Sequence, residues 1–110
     1  MSNKIPYETR CEVYDKALHK WGMVTQMLVA IEEMSEVIKA ITKLERCSSG
    51  EHTNEEYCAA LDSLIEEVAD ATIMLEQLRY MFGINEEVCD VMDEKIMRLQ
   101  DRAKKAEVGE

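Results

Sequence analysis

The sequence is poor in the residues that interrupt helices or build small β-folds. Only 4 glycines and 1 proline occur in 110 residues, and aromatic residues make up 5% of the chain. A sandwich or barrel of short strands needs many turn residues and strand-forming side chains, so this composition disfavours both architectures. Ala, Leu, Ile, Met, Glu and Lys dominate instead and indicate an all-α fold. A chain of this length forms one domain, residues 1–110.

Positive charge is scarce as well. Lys and Arg total 13 against 23 Asp and Glu, which leaves a formal net charge of −10 at pH 7. Binding to a phosphate backbone requires a basic surface, so we expect no nucleic-acid partner. A small nucleotide stays compatible with this charge, because divalent cations held by carboxylates reverse the local sign.

Long apolar runs and closely paired cysteines are also missing. No segment approaches the roughly 20 apolar residues that cross a bilayer, and residues 1–6 lack the apolar core of a signal peptide. We therefore expect no membrane partner and a cytoplasmic location. The cysteines form no C-x-x-C pair and are expected to be free thiols: Cys11, Cys47, Cys58 and Cys89.

Apolar residues that recur every three or four positions predict four helices, two long and two shorter. The boundaries follow the few breaking and capping residues: Pro6, Gly22, the polar loop 47–52, the capping box of Thr53 with Glu56, Gly83 and Asn85. The predicted ranges are Tyr7 to about Lys20, Met23 to about Arg46, Thr53 to Gly83 and Glu86 to about Ala106. Residues 107–110 are expected to fray.

The two long helices are expected to pair antiparallel, because each carries an apolar stripe that needs a partner. In the first long helix the stripe comprises Met23, Met27, Ile31, Met34, Ile38 and Ile41. In the second it comprises Leu61, Leu64, Ile65, Val68, Thr72, Leu75, Leu78 and Phe82. One such pair with two shorter helices gives a core that is thin for a chain in which 46% of the residues are hydrophobic. We therefore expect an antiparallel bundle completed by oligomerisation, as a homodimer or homotetramer.

Two pairs of acidic residues lie in or beside these stripes: Glu33 with Glu36, and Glu67 with Asp70. A carboxylate turned inward loses hydration, which costs several kcal/mol unless something replaces it. No lysine or arginine occurs between Glu51 and Gln77, so the second long helix offers little compensation. The flanking apolar residues, rather than the three-residue spacing, distinguish these acids from ordinary surface pairs.

An antiparallel turn near Gly50 brings the four acids to similar depths, since Glu33 and Glu67 each lie 17 residues from it (50 − 33 and 67 − 50). All-oxygen ligation suits Mg²⁺ or Mn²⁺ rather than zinc or copper. Without a metal, mutual repulsion is expected to raise the pKa of at least one of these acids. A ferritin-like di-iron site requires Glu-x-x-His on two helices, which this chain lacks. A purely structural polar cluster is the other alternative.

These acids also carry a family resemblance. Residues 32–36, Glu-Glu-Met-Ser-Glu, resemble the E-E-x-x-E motif of the MazG-like all-α nucleoside triphosphate pyrophosphohydrolases, and residues 67–70 resemble their E-x-x-D motif. A W-G-x-x-x-Q element at residues 21–26 precedes them, and the likeness covers most of the chain. Two features depart from the family: the motifs are 30 residues apart (67 − 36 − 1), and Met74 stands where many relatives have tyrosine.

The resemblance implies a MazG-like domain that hydrolyses a ribo- or deoxyribonucleoside triphosphate to its monophosphate and pyrophosphate, with Mg²⁺ as cofactor and Mn²⁺ as a substitute. Such an enzyme cleans or controls nucleotide pools. The implied metal ligands are Glu33, Glu36, Glu67 and Asp70, and the implied catalytic residues are Glu32 and Glu33. Glu32 would orient the attacking water.

Four further residues are candidate substrate contacts: Lys95, Arg98, Trp21 and Gln26. Apolar neighbours could aim the Lys95 ammonium at a phosphate, whereas Arg98 could equally form a surface ion pair. Trp21 could stack on a base while Gln26 reads its edge, or it could be a core or interface residue. Two other functions stay open, a non-catalytic acidic helical interaction module and a helical phosphohydrolase that releases inorganic phosphate.

Overall fold

A computed structural model describes residues 4–107 of the chain. These residues form four α-helices and no strand, which confirms the all-α prediction. The helices are α1 (Tyr7–Trp21), α2 (Met23–Ser49), α3 (Asn54–Phe82) and α4 (Asn85–Glu107). None of the four combines the length and the apolar content needed to cross a membrane. Within the C-terminal segment 107–110, which the sequence predicts to fray, Glu107 is helical and residues 108–110 lie outside the described part.

The capping residues act where the sequence predicts them. Thr53 Oγ1 accepts a hydrogen bond from the Glu56 amide at 3.1 Å, and Glu56 Oε1 accepts one from the Thr53 amide at 3.4 Å. This reciprocal pair is the predicted capping box at the start of α3. Gly83 ends α3 with a φ of 63°, a left-handed conformation that glycine adopts without steric cost.

The predicted loop 47–52 is shorter in the structure, because α2 continues to Ser49. The Ser48 and Ser49 hydroxyls donate to backbone carbonyls one turn earlier, at 3.1 and 2.9 Å, so these polar side chains are accommodated within the helix. The connection between the long helices therefore comprises only residues 50–53.

α2 and α3 run antiparallel along each other. Gln77 Nε2 donates to Gln26 Oε1 at 2.7 Å near one end of the pair, and Cys47 Sγ lies 4.0 Å from the Glu56 carbonyl oxygen near the other. Both glutamines are buried. The buried apolar residues on these two helices are mostly small: Ala30, Ala40, Ala60, Ala71 and Met74. Small side chains let the two helices approach closely along the line where they meet, the α2–α3 seam.

The apolar stripes do not pack against each other in this seam, and that part of the sequence prediction is wrong. The six α2 stripe residues are 38–65% exposed, with Met34 at the lower limit and Ile38 at the upper. At 100° per residue, the stripe lies about a quarter turn from Gln26, Ala30 and Ala40, which face α3. Periodicity locates an apolar face on a helix, but it does not identify what covers that face.

A polar cluster around Glu76 attaches α1 to α3. Arg10 binds both carboxylate oxygens of Glu76, Nε to Oε1 at 2.6 Å and Nη2 to Oε2 at 2.9 Å, and the Tyr14 hydroxyl donates to Oε1 at 2.6 Å. The Arg10 and Glu76 side chains are only 23% and 15% exposed. Burial and the bond to Glu76 raise the pKa of Tyr14 to about 12, so this hydroxyl remains a donor at neutral pH.

Glu76 is expected to make stability depend on pH. The hydrogen bonds from Arg10, and then from Tyr14, hold the pKa of Glu76 below its usual range. Its stabilising contribution is therefore complete above the unfolded-state value of about 4.3 and is lost as pH falls through the lower folded-state value. The difference in Tm between wild type and Glu76→Gln, followed by circular dichroism, should be constant from pH 7 to about 5 and shrink below about pH 4. A difference unchanged down to pH 2 contradicts this assignment.

α4 extends from the rest of the molecule. Among the described helices it contacts α3 alone, for example where Arg79 Nη1 lies 3.9 Å from Met92 Sδ, and none of its residues is buried. The radius of gyration is 17.8 Å, against about 13 Å for a compact chain of this length. The accessible surface is 8678 Å², against roughly 6,200 Å² for a compact monomer of this mass. One copy of the chain leaves an unusually large surface uncovered.

Candidate functional site

The register of the α2–α3 seam sets acidic residues opposite one another. The hydrogen bond between Gln26 and Gln77 defines which residues of the two helices face each other. One facing pair lies seven residues after Gln26 on α2 and seven before Gln77 on α3, and a second pair lies ten residues after and before them. These counts are close to two and three helical turns, so the acids stay near the seam. The facing pairs are Glu33 with Asp70 and Glu36 with Glu67. The sequence analysis predicted that Glu33 faces Glu67, so the predicted register differs from the observed one by three residues.

Glu33, Glu67 and Asp70 converge and form what we call the acidic trio. One carboxylate oxygen of each lies within 4.8 Å of the others. Glu33 and Glu67 are half-buried and Asp70 is exposed. Glu36, the fourth predicted ligand, accepts a hydrogen bond from Lys39 Nζ at 3.2 Å. The structure thus groups three of the four predicted ligands, with Glu36 beside them.

Burial and repulsion raise pKa values within the acidic trio. Loss of hydration raises the pKa of Glu33, and the charges of Asp70 and Glu67 raise it further. Loss of hydration also raises the pKa of Glu67, and the charges of Asp70 and Glu36 raise it further. The direction agrees with the sequence prediction, although burial rather than repulsion is the larger cause. A cation held by these carboxylates would reduce both penalties.

The donor set fits a hard divalent cation. Three carboxylates offer the all-oxygen ligation that Mg²⁺ and Mn²⁺ prefer. Oxygens bound to one Mg²⁺ at about 2.1 Å lie at most about 4.2 Å apart, so small side-chain rotations bring the trio into range. Among the described residues no histidine belongs to this group, since His52 binds Glu56 and His19 lies near the end of α1. The nitrogen ligands of the di-iron alternative are therefore not at this position.

Glu32 and Trp21 are both open to solvent. Glu32 precedes Glu33 on α2 and points about 100° away from it around the helix axis. Trp21 ends α1 with 54% of its surface exposed, and its ring lies 5.1 Å from Lys20 Nζ. Stacking on a base is compatible with this exposure and stays a prediction.

The remaining predicted contacts occupy different environments. Gln26 is buried, and its side-chain oxygen accepts the bond from Gln77, so in this structure it joins α2 to α3. Lys95 and Arg98 are exposed on α4, where they line an open cavity of about 490 Å³. Neither Lys95 nor Arg98 is among the charges that shift the pKa of Glu33 or Glu67, so within the described chain one copy does not bring these cations beside the acidic trio.

The sequence analysis did not predict the residues whose hydrogen-bond partners lie far from them in the chain. Gln77 shares a buried bond with Gln26 across 51 residues, and Glu76 binds Arg10 across 66. One signal pointed to Gln77: it lies seven residues after Asp70, on nearly the same face of α3. No local pattern distinguishes Glu76 from the other acids of its helix.

The described residues thus place three carboxylates at one point of the α2–α3 seam, with raised pKa values for two of them. Comparison with protein-family models, with curated proteins and with solved structures finds no match to this chain. Function must therefore be inferred from the chemistry of the site itself.

Proposed function

We propose that the chain is an Mg²⁺-dependent nucleoside triphosphate pyrophosphohydrolase, with Mn²⁺ as a substitute metal. It would convert a ribo- or deoxyribonucleoside triphosphate and water to the monophosphate and pyrophosphate, and so clean or control the nucleotide pool of the cytoplasm. The observation that supports this proposal is the acidic trio, whose oxygens lie within 4.8 Å of one another. Its members occur in the two segments that resemble the MazG-like motifs.

The chemistry assigns a role to each carboxylate. Glu33, Glu67 and Asp70 would hold the metal, with Glu36 joining them after release from Lys39. When bound, Mg²⁺ supplies positive charge to the phosphate oxygens and lowers the pKa of a coordinated water. Glu32, exposed and next to Glu33 in the sequence, would orient the attacking water and accept its proton. Cleavage of the bond between the α- and β-phosphates then releases pyrophosphate.

Substrate contacts are proposed for residues outside the trio. Lys95 and Arg98 would bind the phosphates and Trp21 would stack on the base, whereas Gln26 would reach the base only after release from Gln77. In the homodimer or homotetramer that we propose, phosphate contacts can come from α4 of another copy. The large accessible surface and the radius of gyration support such an assembly, since both exceed the values of a compact monomer.

Product analysis tests the proposed reaction. The purified protein is incubated with each of the eight common ribo- and deoxyribonucleoside triphosphates, with and without Mg²⁺, and the products are separated by chromatography. We expect monophosphate and pyrophosphate from at least one substrate, in the presence of metal only. Inorganic phosphate as the direct product identifies a phosphohydrolase of another type. No turnover of any substrate with Mg²⁺ or Mn²⁺ rejects the enzyme.

A non-catalytic acidic interaction module is the second candidate, and the exposed apolar residues of α2 and α3 favour it. Calorimetric titration with Mg²⁺ and a non-hydrolysable nucleotide separates the two functions. The enzyme binds both ligands with measurable heat, whereas the module gives no binding heat.

A further inference from the structure

Apart from Tyr14 with its hydroxyl, two glutamines are the only polar side chains that are buried in the described part of the chain. Gln26 on α2 is 6% exposed and Gln77 on α3 is 3% exposed. Gln77 Nε2 donates to Gln26 Oε1 at 2.7 Å, so the two amides are hydrogen-bonded partners across the α2–α3 seam. A buried amide is costly when it has no partner. Two leucines would fill the same space without this requirement, so packing alone does not explain the pair.

The rest of the seam does little to determine how far one helix is displaced along the other. Its buried apolar residues are mostly alanines, and a row of similar small side chains packs in much the same way after a displacement of one turn. A displacement of three residues, close to one turn, is about 4.5 Å. The connection 50–53 permits it, because four residues can span about 13 Å. The observed register therefore needs a specific determinant.

The bond between the glutamines disfavours the neighbouring registers. A displacement of three residues places Gln77 opposite Met23 in one direction and opposite Val29 in the other. Valine offers no hydrogen-bond acceptor and methionine only a weak one, so the buried amide would lose its partner. At the far end of the seam, Cys47 Sγ lies 4.0 Å from the Glu56 carbonyl oxygen. Both residues are 21 positions from the bonded glutamines (47 − 26 and 77 − 56), so one register holds along about 30 Å of the seam.

The acidic trio depends on this register. Two acidic pairs now face each other across the seam, Glu33 with Asp70 and Glu36 with Glu67. A displacement of three residues leaves one facing acidic pair in either direction, Glu33 with Glu67 or Glu36 with Asp70. Oxygens on opposite helices that lie within 4.8 Å of one another would be displaced by about 4.5 Å. A divalent cation would then have fewer carboxylates within reach.

We infer that the Gln26–Gln77 pair determines the register of the α2–α3 seam, which makes Gln77 a positioning residue for the proposed metal site. Gln77 lies seven residues from Asp70, about 10 Å along the helix axis, and acts through the placement of the two helices. In coiled coils, a buried amide pair lowers stability relative to an apolar pair but excludes other registers. As far as it concerns Mg²⁺, the inference rests on the proposed function. It applies to the free chain, since the base contact proposed for Gln26 requires release from Gln77.

The double variant Gln26→Leu with Gln77→Leu separates register from stability. Because it removes both amides together, its Tm should equal or exceed that of wild type. Its calorimetric Kd for Mg²⁺, measured without nucleotide, should rise at least about tenfold. Gln100→Leu, the same change at an exposed position of α4, is the control and should bind Mg²⁺ within about twofold of wild type. Wild-type affinity in the double variant overturns the inference. Loss of its helical circular dichroism also does so, because the bond would then hold the fold itself.

Cysteine cross-linking measures the register without metal or activity. Ala40 and Ser63 each lie fourteen residues from the bonded glutamines (40 − 26 and 77 − 63), so they face each other. A displacement of three residues brings Ala60 or Glu66 opposite Ala40 instead. Cysteine pairs at these positions are oxidised in a chain whose four natural cysteines are replaced by serine. With both glutamines present, the pair Ala40→Cys with Ser63→Cys should form its disulfide at least about tenfold faster than either displaced pair.

In the double leucine variant, one of the displaced pairs should react within about threefold of the rate of the facing pair. A facing pair that keeps its tenfold advantage overturns the inference, whatever the Mg²⁺ affinity. Failure of wild type to bind Mg²⁺ rejects the proposed metal site instead, and the cross-linking rates still decide whether the glutamines determine the register.

Discussion

Glu33→Gln and Asp70→Asn are each expected to reduce pyrophosphate release by at least about a hundredfold, because each replaces a charged metal ligand with a neutral amide of the same shape. Neither variant should unfold. The replaced carboxylates repel one another within 4.8 Å, so in EDTA the Tm should stay equal to that of wild type or rise. The measurements are kcat/KM for pyrophosphate release at saturating Mg²⁺ and thermal unfolding by circular dichroism.

Glu66→Gln is the matched control for these two variants. Glu66 precedes Glu67 on α3 but is exposed and does not belong to the acidic trio. We expect its activity within about twofold of wild type, since it removes the same charge without removing a ligand. Calorimetry should show weaker Mg²⁺ binding for Glu33→Gln and Asp70→Asn than for Glu66→Gln. Wild-type rates in both trio variants, or an equal loss in Glu66→Gln, refute the assigned ligands.

Glu76→Ala is expected to lower the free energy of unfolding by about 3 kcal/mol, because it leaves the Arg10 guanidinium and the Tyr14 hydroxyl without their shared partner. Both groups are largely shielded from water, at 23% exposure for the Arg10 side chain and 5% for Tyr14. For a chain of this size the change corresponds to a fall in Tm of roughly 12–24 °C. Urea unfolding followed by circular dichroism measures it.

Two comparisons separate the loss of this ion pair from the loss of any acidic residue. Glu66→Ala removes an exposed carboxylate from the same helix and should change the free energy of unfolding by less than about 0.5 kcal/mol. The double variant Arg10→Met with Glu76→Leu should be more stable than Glu76→Ala, since it removes both charges and leaves neither unpaired. A Glu76→Ala protein as stable as Glu66→Ala would show that the cluster does not hold α1 to α3.

Local features of the fold could be predicted from the sequence with little error. The starts and ends of the helices agree within a few residues, because breakers such as Gly22 and Gly83 and the Thr53 capping box act within one turn of the chain. The convergence of Glu33, Glu67 and Asp70 could also be anticipated, since a short connection forces the two long helices to run antiparallel. Only the register was displaced, by three residues.

The choice of buried faces could not be predicted in this way. The sequence marks the stripe from Met23 to Ile41 as the most apolar face of α2, yet the helix turns its alanines and Gln26 toward α3. Hydropathy measures how favourable burial is, but close helix approach depends on small side chains and on satisfied hydrogen bonds. Both conditions depend on the partner helix and are not contained in either segment alone.

Composition and periodicity were therefore sufficient to establish an acidic, all-helical chain with two long segments, each with a pair of acids in or beside its apolar stripe, because these properties arise from neighbouring residues. Three-dimensional packing was needed to join Arg10 to Glu76 and Gln26 to Gln77 and to leave the apolar stripe of α2 outside the chain's own core. The physical reason is that long-range pairs are selected by the geometry of the whole fold, and many residues in the sequence are chemically capable of the same bonds.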